Sequence, residues 1–422
     1  MAELFDPYGH NCLTQNLGPI LSRKAAAVAL GFLPPAPKNI ESVPRHTRRH
    51  LLMSLRDLYI PSLDGLRIQE TIDLCVRQGY RYRDPNAPLS WQLISGESIQ
   101  HKTPRAPPQA AVVIGHSGTG KTEAILRAFH CYPRQVITHE RFPNIAGPHH
   151  QMVWLTADVP ANGKAVELAA NLMISWDQAM RQWLPERLPR FEGRYGGSAK
   201  DGLPMLNEWR QVALTHFLGV LHLDEVQNFF SLESKKTRQQ KARIGEQREL
   251  KIIEDQCLKW LLSLINTWQI PLILSGTPDG INALTKRLSN AQRFATSGFH
   301  HLKHFETPSE PEYRELFLKT LFQYQYVQTP LPLSDDVAEL IHKHTAGVPR
   351  LIIALWIATH RVAFENTRRD ALTTDDIERA ASTYLAPVKD AVEALRSNDP
   401  LRMARYEDLL PTDDFWREFF SS

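Results

Sequence analysis

The chain has 422 residues, 42% of them hydrophobic, and 49 basic against 46 acidic side chains give a formal net charge of +3. That is room for about three domains with real cores, and the charge balance excludes an overall field strong enough to announce a nucleic-acid partner, so any such surface must come from local clustering. Cys12, Cys75, Cys131 and Cys257 match neither a zinc spacing nor a disulfide framework, the start MAELFDPYG has no basic lead-in, and the longest apolar runs (near 25–34 and 351–358) are too short for a bilayer, so a cytoplasmic chain with no membrane partner is expected.

Residues 1–105 read as an N-terminal extension: rich in proline, with a basic cluster (Arg45, Arg48, Arg49, Arg56) and one probable helix, LRIQETIDLCVRQGY. Pro104, Pro107 and Pro108 then punctuate the chain, so a second domain is expected over 106–305. Val112, Val113 and Ile114 suit a buried strand that breaks into a glycine-rich turn and then the helix-prone TEAILRAFH. Beyond it, QMVWLTAD (151–158), FLGVLHLDE (217–225) and IPLILSGT (270–277) read as strands, alternating with helices over roughly 163–183 and 247–266. That alternation predicts an α/β fold, a parallel sheet with helices on both faces. LPERLPRFEGRYGGSAKDGLP, within 184–210, follows neither period and is expected as an exposed insertion. From 306 to 395 the pattern is helical and predicts a lid, with Ser334 and Thr374 as N-caps; residues 396–422 form a C-terminal tail.

Gly115-His116-Ser117-Gly118-Thr119-Gly120-Lys121-Thr122 meets the pattern GxxxxGK[ST] in full, with strand before and helix after. The glycines permit a backbone whose N–H groups converge on an anion, the helix's positive end faces the same point, Lys121 supplies an ammonium, and Thr122 a hydroxyl for Mg²⁺. This predicts binding of ATP with Mg²⁺. About a hundred residues on, VLHLDEVQN delivers two carboxylates at a strand's C-terminal end, where ligands bind in open α/β sheets. Asp224 is placed to hold Mg²⁺, and Glu225 to polarise an attacking water. In SGTP, Ser275 or Thr277 would sit beside those carboxylates and sense the γ-phosphate. In AGVPRLI, Arg350 begins a lid helix from which a guanidinium reaches the phosphates, and Arg287 or Arg293 is a candidate finger toward a neighbouring copy's nucleotide.

With these parts in place the chain resembles the AAA+ ATPases, and more narrowly the TnsC/TniB regulators of DNA transposition. The narrower resemblance rests on IDLCVRQGYRYRDP, GHSGTGKTEAILRAF, CYPRQVITHERF, QMVWLTADVPANGKAVELAANLMISWD and LHLDEVQN, which place Tyr80 to Pro85, Tyr132-Pro133 with His139, and Pro160, Gly163 and Lys164 leading to Asp177 in the family's order. It implies an AAA+ fold and an ATPase, slow and stimulated by DNA, that assembles with itself as a ring or helical filament on double-stranded DNA. It also implies as partners a transposase and a target-selector protein. The family's DNA contacts follow the second core strand, here Asn162, Gly163 and Lys164; Lys164 would track phosphates without reading bases. A second basic stretch at 234–251, with Lys235, Lys236 and Arg238, either faces DNA or is a solvated charge run. The tail's Phe415, Trp416, Phe419 and Phe420 pack on a partner or, preferably, on the lid itself. A helicase loader or other DNA-remodelling AAA+ ATPase shares the core but not the quoted segments. A P-loop small-molecule kinase has no need of Glu225.

Overall fold

The structure, a computed structural model, describes residues 7–95, 107–194, 201–232, 250–281, 295–366, 368–397, 399–403, 405–410, 415–416 and 419. Its chain clusters into two units, one formed by residues 1–26, 64–114 and 121–301 and the other by 27–63, 115–120 and 302–422. The first 105 residues, expected as an extension ahead of the nucleotide domain, are thus divided between the two.

In the first unit, five strands make one sheet in the order β4-β5-β8-β1-β9: β1 (Ala110–Ile114), β4 (Trp154–Asp158), β5 (Val220–Asp224), β8 (Leu272–Gly276) and β9 (Gly298–His301). Every neighbouring pair is parallel, as strands buried on both faces and joined through helices require. β1, β5 and β8 are buried at every position, which is why they read as continuous apolar runs and not as alternation. Two antiparallel pairs stand apart from this sheet: β2 (Val136–His139) with β3 (His149–Met152), and β6 (Phe230–Leu232) with β7 (Leu250–Ile252). The single strand expected over 151–158 is therefore two, β3 and β4, which lie in different sheets. The helix expected from 247 begins at Asp255, because 250–252 pair as β7.

The exposed insertion expected within 184–210 holds for 185–188, 190 and 192–194, which are exposed, but not for its end. Gly202–Thr215 is a helix whose Asp201 side chain caps the Leu203 N–H, and Leu206 and Trp209 are fully buried among Trp176, Trp260 and Leu172. Gly202 and Pro204 look like breakers but occupy the first turn, where a missing N–H costs nothing. Upstream, Asp177 accepts from the N–H groups of Arg190 and Phe191 at 2.8 and 2.9 Å, pinning a segment whose Phe191 is also buried.

Tyr80 and Arg83, on and just after the helix Leu63–Tyr82, are interior ties. Arg83 donates to the carbonyls of Leu218 (2.7 Å) and Gly219 (3.4 Å), where the chain enters β5. Tyr132 donates to Asp73 (3.1 Å), and His139 bonds Gln151 across the β2–β3 pair (2.8 Å). These side chains spend their polar groups on holding the fold, as buried polar groups must.

The second unit is helical from Asp335 to Arg396, and its core gathers Leu52, Leu55, Tyr313, Tyr326, Trp356 and Ile377. Ser334 caps as expected, accepting from Val337 N–H at 3.3 Å. The next cap is Thr373 and not Thr374: its hydroxyl and N–H meet the Asp376 carboxylate in a capping box. Phe415, Trp416 and Phe419 join this core, the lid packing preferred from their spacing; Phe420 lies outside the described residues. Among the described residues no single helix is long and apolar enough to cross a membrane.

Candidate functional site

β5 ends in Asp224, and parallel pairing with β4 and β8 brings the ends of three strands together on one edge of the sheet. Asp224 is 3% exposed, and a carboxylate so placed must be hydrogen-bonded to remain charged. It is. The Thr122 hydroxyl donates to Oδ2 at 2.5 Å, Ser275 Oγ donates to Oδ1 at 2.5 Å, and the Glu225 N–H donates to Oδ1 at 2.9 Å. Burial alone would raise its pKa, but the His222 ring and these three donors outweigh burial and hold it below the ordinary carboxylate value. Asp224 is an anion at neutral pH.

Behind it, a chain of side chains crosses the sheet. Thr156 on β4 lies opposite His222 on β5, with Thr156 Oγ1 2.8 Å from Nδ1 and Ser275 Oγ 2.7 Å from Nε2. His222 has no exposed surface, and its burial lowers its pKa against the opposing pull of Asp224.

Glu225 adopts φ 57° and ψ 40°, the left-handed region that a side chain enters at a cost. Its pKa is raised, first by burial and then by Asp224, with Lys121 and the Gln227 amide opposing. Gln227 donates from Nε2 to Glu225 and accepts the Thr277 N–H at 3.1 Å. The Thr277 N–H fixes which end of the amide is oxygen. Asp158, at the end of β4, also has a raised pKa, from burial and then from Asp224.

Gly118 and Gly120 have φ +85° and +93°, backbone that glycine enters freely. A Cβ on Gly120 would meet nothing within 4 Å, whereas one on Gly118 would lie 3.0 Å from Val348. Within the second unit the loop is tied by its backbone: Arg350 N–H donates to Gly118 O (3.2 Å), Tyr406 OH to Ser117 O (3.1 Å), and Ser117 N–H to Glu407 (2.7 Å). His116 lies 3.5 Å from the same Glu407 carboxylate, and Thr119 donates from its hydroxyl to His116 O at 2.8 Å. The Arg350 guanidinium stands over the Trp416 ring, 5.9 Å from its centroid.

Within the first unit, Lys121 and Thr122 begin the helix Lys121–His130, and the Thr122 hydroxyl meets Asp224, an ionised oxygen ligand of the hard type Mg²⁺ takes; these residues fit the magnesium ion of a bound nucleotide. Ser275, offered as a phosphate sensor, has no exposed surface and gives its hydroxyl proton to Asp224; the Thr277 backbone is held by Gln227.

Lys164 is exposed at the N-cap of the helix Ala165–Trp183, but the first helical N–H, of Ala165, is taken by Glu254 at 2.9 Å. Asn162 folds inward on its own loop, bonding Glu167 and accepting the Lys164 N–H at 3.1 Å. The first N–H of this helix, which could have joined Lys164 on a phosphate, is thus held by Glu254, leaving the ammonium. Lys235, Lys236, Arg238, Arg287 and Arg293 lie outside the described residues. Sequence reasoning missed His222, Thr156, Gln227 and Asp158. The legible signal was a lone imidazole inside the apolar run VLHLD and a carboxylate ending the neighbouring strand.

Residues 105–284 match the family described as "AAA domain", and the fold is that of an AAA+ P-loop NTPase with a helical C-terminal region. No curated protein sequence matches the chain. Among solved structures, the Walker-type ATPase PABY2304 of Pyrococcus abyssi aligns over 69% of this chain and 72% of its own at 14% identity and a TM-score of 0.38. Aeropyrum pernix ORC1 in complex with DNA aligns over 78% of each chain at 13% identity and a TM-score of 0.39. A Thermotoga maritima RuvB variant (R170A) aligns over 70% of this chain and 65% of its own at 16% identity and a TM-score of 0.33.

Proposed function

We propose that this chain is an ATP-dependent, DNA-binding regulator of transposition: it oligomerises on target DNA as a ring or filament, links a target selector to the transposase, and comes apart on hydrolysis. The observation that carries the ATPase reading is the convergence of the Thr122 and Ser275 hydroxyls on an ionised Asp224 followed by Glu225, inside the segment matched to an AAA domain. The transposition reading rests on the resemblance of the segments between Ile72 and Asn228.

Each residue has a role in this reading. The N–H groups of 115–120 and the Lys121 ammonium hold the phosphates; Thr122 and Asp224 hold Mg²⁺, which when bound supplies charge neutralisation on the phosphate oxygens. Glu225 orients the attacking water and takes its proton. Its raised pKa supports that role, because a stronger base accepts a proton more readily. Arg350, and Arg287 or Arg293 from a neighbouring copy, complete the charge around the nucleotide. The exposed Lys164 supports contact with DNA phosphates.

Electron microscopy with duplex DNA and a non-hydrolysable ATP analogue tests the whole scheme. Ordered assemblies are expected with the wild type and none with Lys121→Ala, which also loses nucleotide binding. With ATP, Glu225→Gln is expected to assemble and stay assembled. Normal disassembly of Glu225→Gln, or assembly of Lys121→Ala, would overturn the reading.

A further inference from the structure

We propose that His222 is a positioning residue whose imidazole N–H forces the Ser275 hydroxyl to donate to Asp224, so that the carboxylate is oriented from behind by a one-way chain of hydrogen bonds. The proposal rests on the ATPase reading above and extends it to a side chain that touches neither nucleotide nor metal in that reading.

The direction of the chain follows from its end. Asp224 as a carboxylate can only accept, so the proton in the 2.5 Å contact with Ser275 lies on Ser275 Oγ. Ser275 has a single proton, so in its 2.7 Å contact with His222 Nε2 the serine oxygen accepts and Nε2 carries hydrogen. Thr156 Oγ1 holds the ring's other nitrogen, Nδ1, at 2.8 Å. The order is Nε2–H to Ser275, then Ser275 O–H to Asp224. Sheet register builds it: Thr156 and His222 are partners across β4 and β5, and His222 pairs with Ile273, two residues before Ser275 on β8. All three are held in one sheet, and His222 and Ser275 have no exposed surface, so neither the Ser275 hydroxyl nor the ring is open to bulk water. Without His222, the Ser275 hydroxyl is free to rotate and Asp224 loses a fixed donor.

Two measurements test this. In protein with ¹⁵N-labelled histidine, the signal lost in His222→Gln is expected to report a ring that carries hydrogen on Nε2; hydrogen on Nδ1 alone would overturn the proposal. For turnover, His222→Leu is expected to lower kcat for ATP about 10- to 100-fold with KM within about twofold. His222→Gln, whose amide can supply the missing N–H, is expected within about fivefold of wild type. Because the effect runs through Ser275, Ser275→Ala with His222→Leu is expected to be no slower than Ser275→Ala alone. A folded His222→Leu with wild-type kcat, or a double variant that multiplies the two losses, would overturn the relay. If His222→Leu does not fold, the ring signal and the His222→Gln rate decide. Lys121→Ala in the same series separates the two readings: turnover that survives it sinks the ATPase reading itself, whereas turnover that it removes while His222→Leu runs at full rate sinks only the relay.

Discussion

Gly163 carries φ +61°, and a Cβ there would stand 2.4 Å from the Asn228 carbonyl and 2.8 Å from Ile253. Both the backbone region and the space therefore demand glycine. Gly163→Ala is expected to lower stability by about 2–4 kcal/mol in denaturant unfolding, and Asn228 belongs to the turn right after Glu225, so turnover should fall with it. At this scale the sequence was legible where a local motif sets an element's end: Lys121 opens a helix and Asp224 closes a strand, as the spacing predicts. It was not legible for His222, Thr156 and Gln227, whose partners are brought close only by parallel strand register. Asn162 and Lys164 show the converse. Their positions invited a phosphate-binding helix start, but Glu254, about ninety residues away in sequence, supplies the anion instead.

Among elements, the β2–β3 pair concentrates histidines. His149 stacks on His216 with ring centroids 5.5 Å apart, and His139 and His150 flank them on the same pair. Burial first, then the charge of neighbouring histidines and Arg187, lowers the pKa of His149 to about 3; burial also lowers that of His216 to about 4, against its hydrogen bond to the His150 carbonyl. In the unfolded chain these rings titrate near about 6.5. Between those values the unfolded state binds more protons, so the contribution is complete above about pH 6.5 and is lost as pH falls toward 4 and 3. Thermal unfolding at pH 7 and pH 4.5 should show a loss on the order of 5 kcal/mol, shared between the two rings, and His149→Phe should remove about half of it. Sequence periodicity found the long helices and buried strands, because those are decided by runs of apolar residues. It missed β2, β6, β7 and β9, three or four residues each, and hid the helix Gly202–Thr215 behind a glycine and a proline that sit in its first turn.

For the whole chain, the proposed contact with DNA is through phosphate, and its signature is counterion release. Affinity for duplex DNA, measured by anisotropy between about 50 and 200 mM salt, should fall at least tenfold along a straight line in log–log form. It should change little when the base sequence is scrambled. An affinity flat in salt would remove the phosphate contacts from the scheme. The division into two units was only partly legible: the lid's helices announced themselves by period, whereas 27–63 joins the lid's unit through contacts such as Leu52 and Leu55 in its core and Arg48 with Asp370 at 2.8 Å, which no local pattern encodes.

Ser117 meets Glu407 and Tyr406 across about 290 positions of chain, and Gly118 meets Arg350 across more than 230. A ribosome that has just finished β9 has therefore made every strand of the sheet and the acidic groups at its edge, yet none of the residues that grip this turn from the helical side. Synthesis proceeds from the N-terminus, so the turn waits for its anchors while a hundred more amino acids are added.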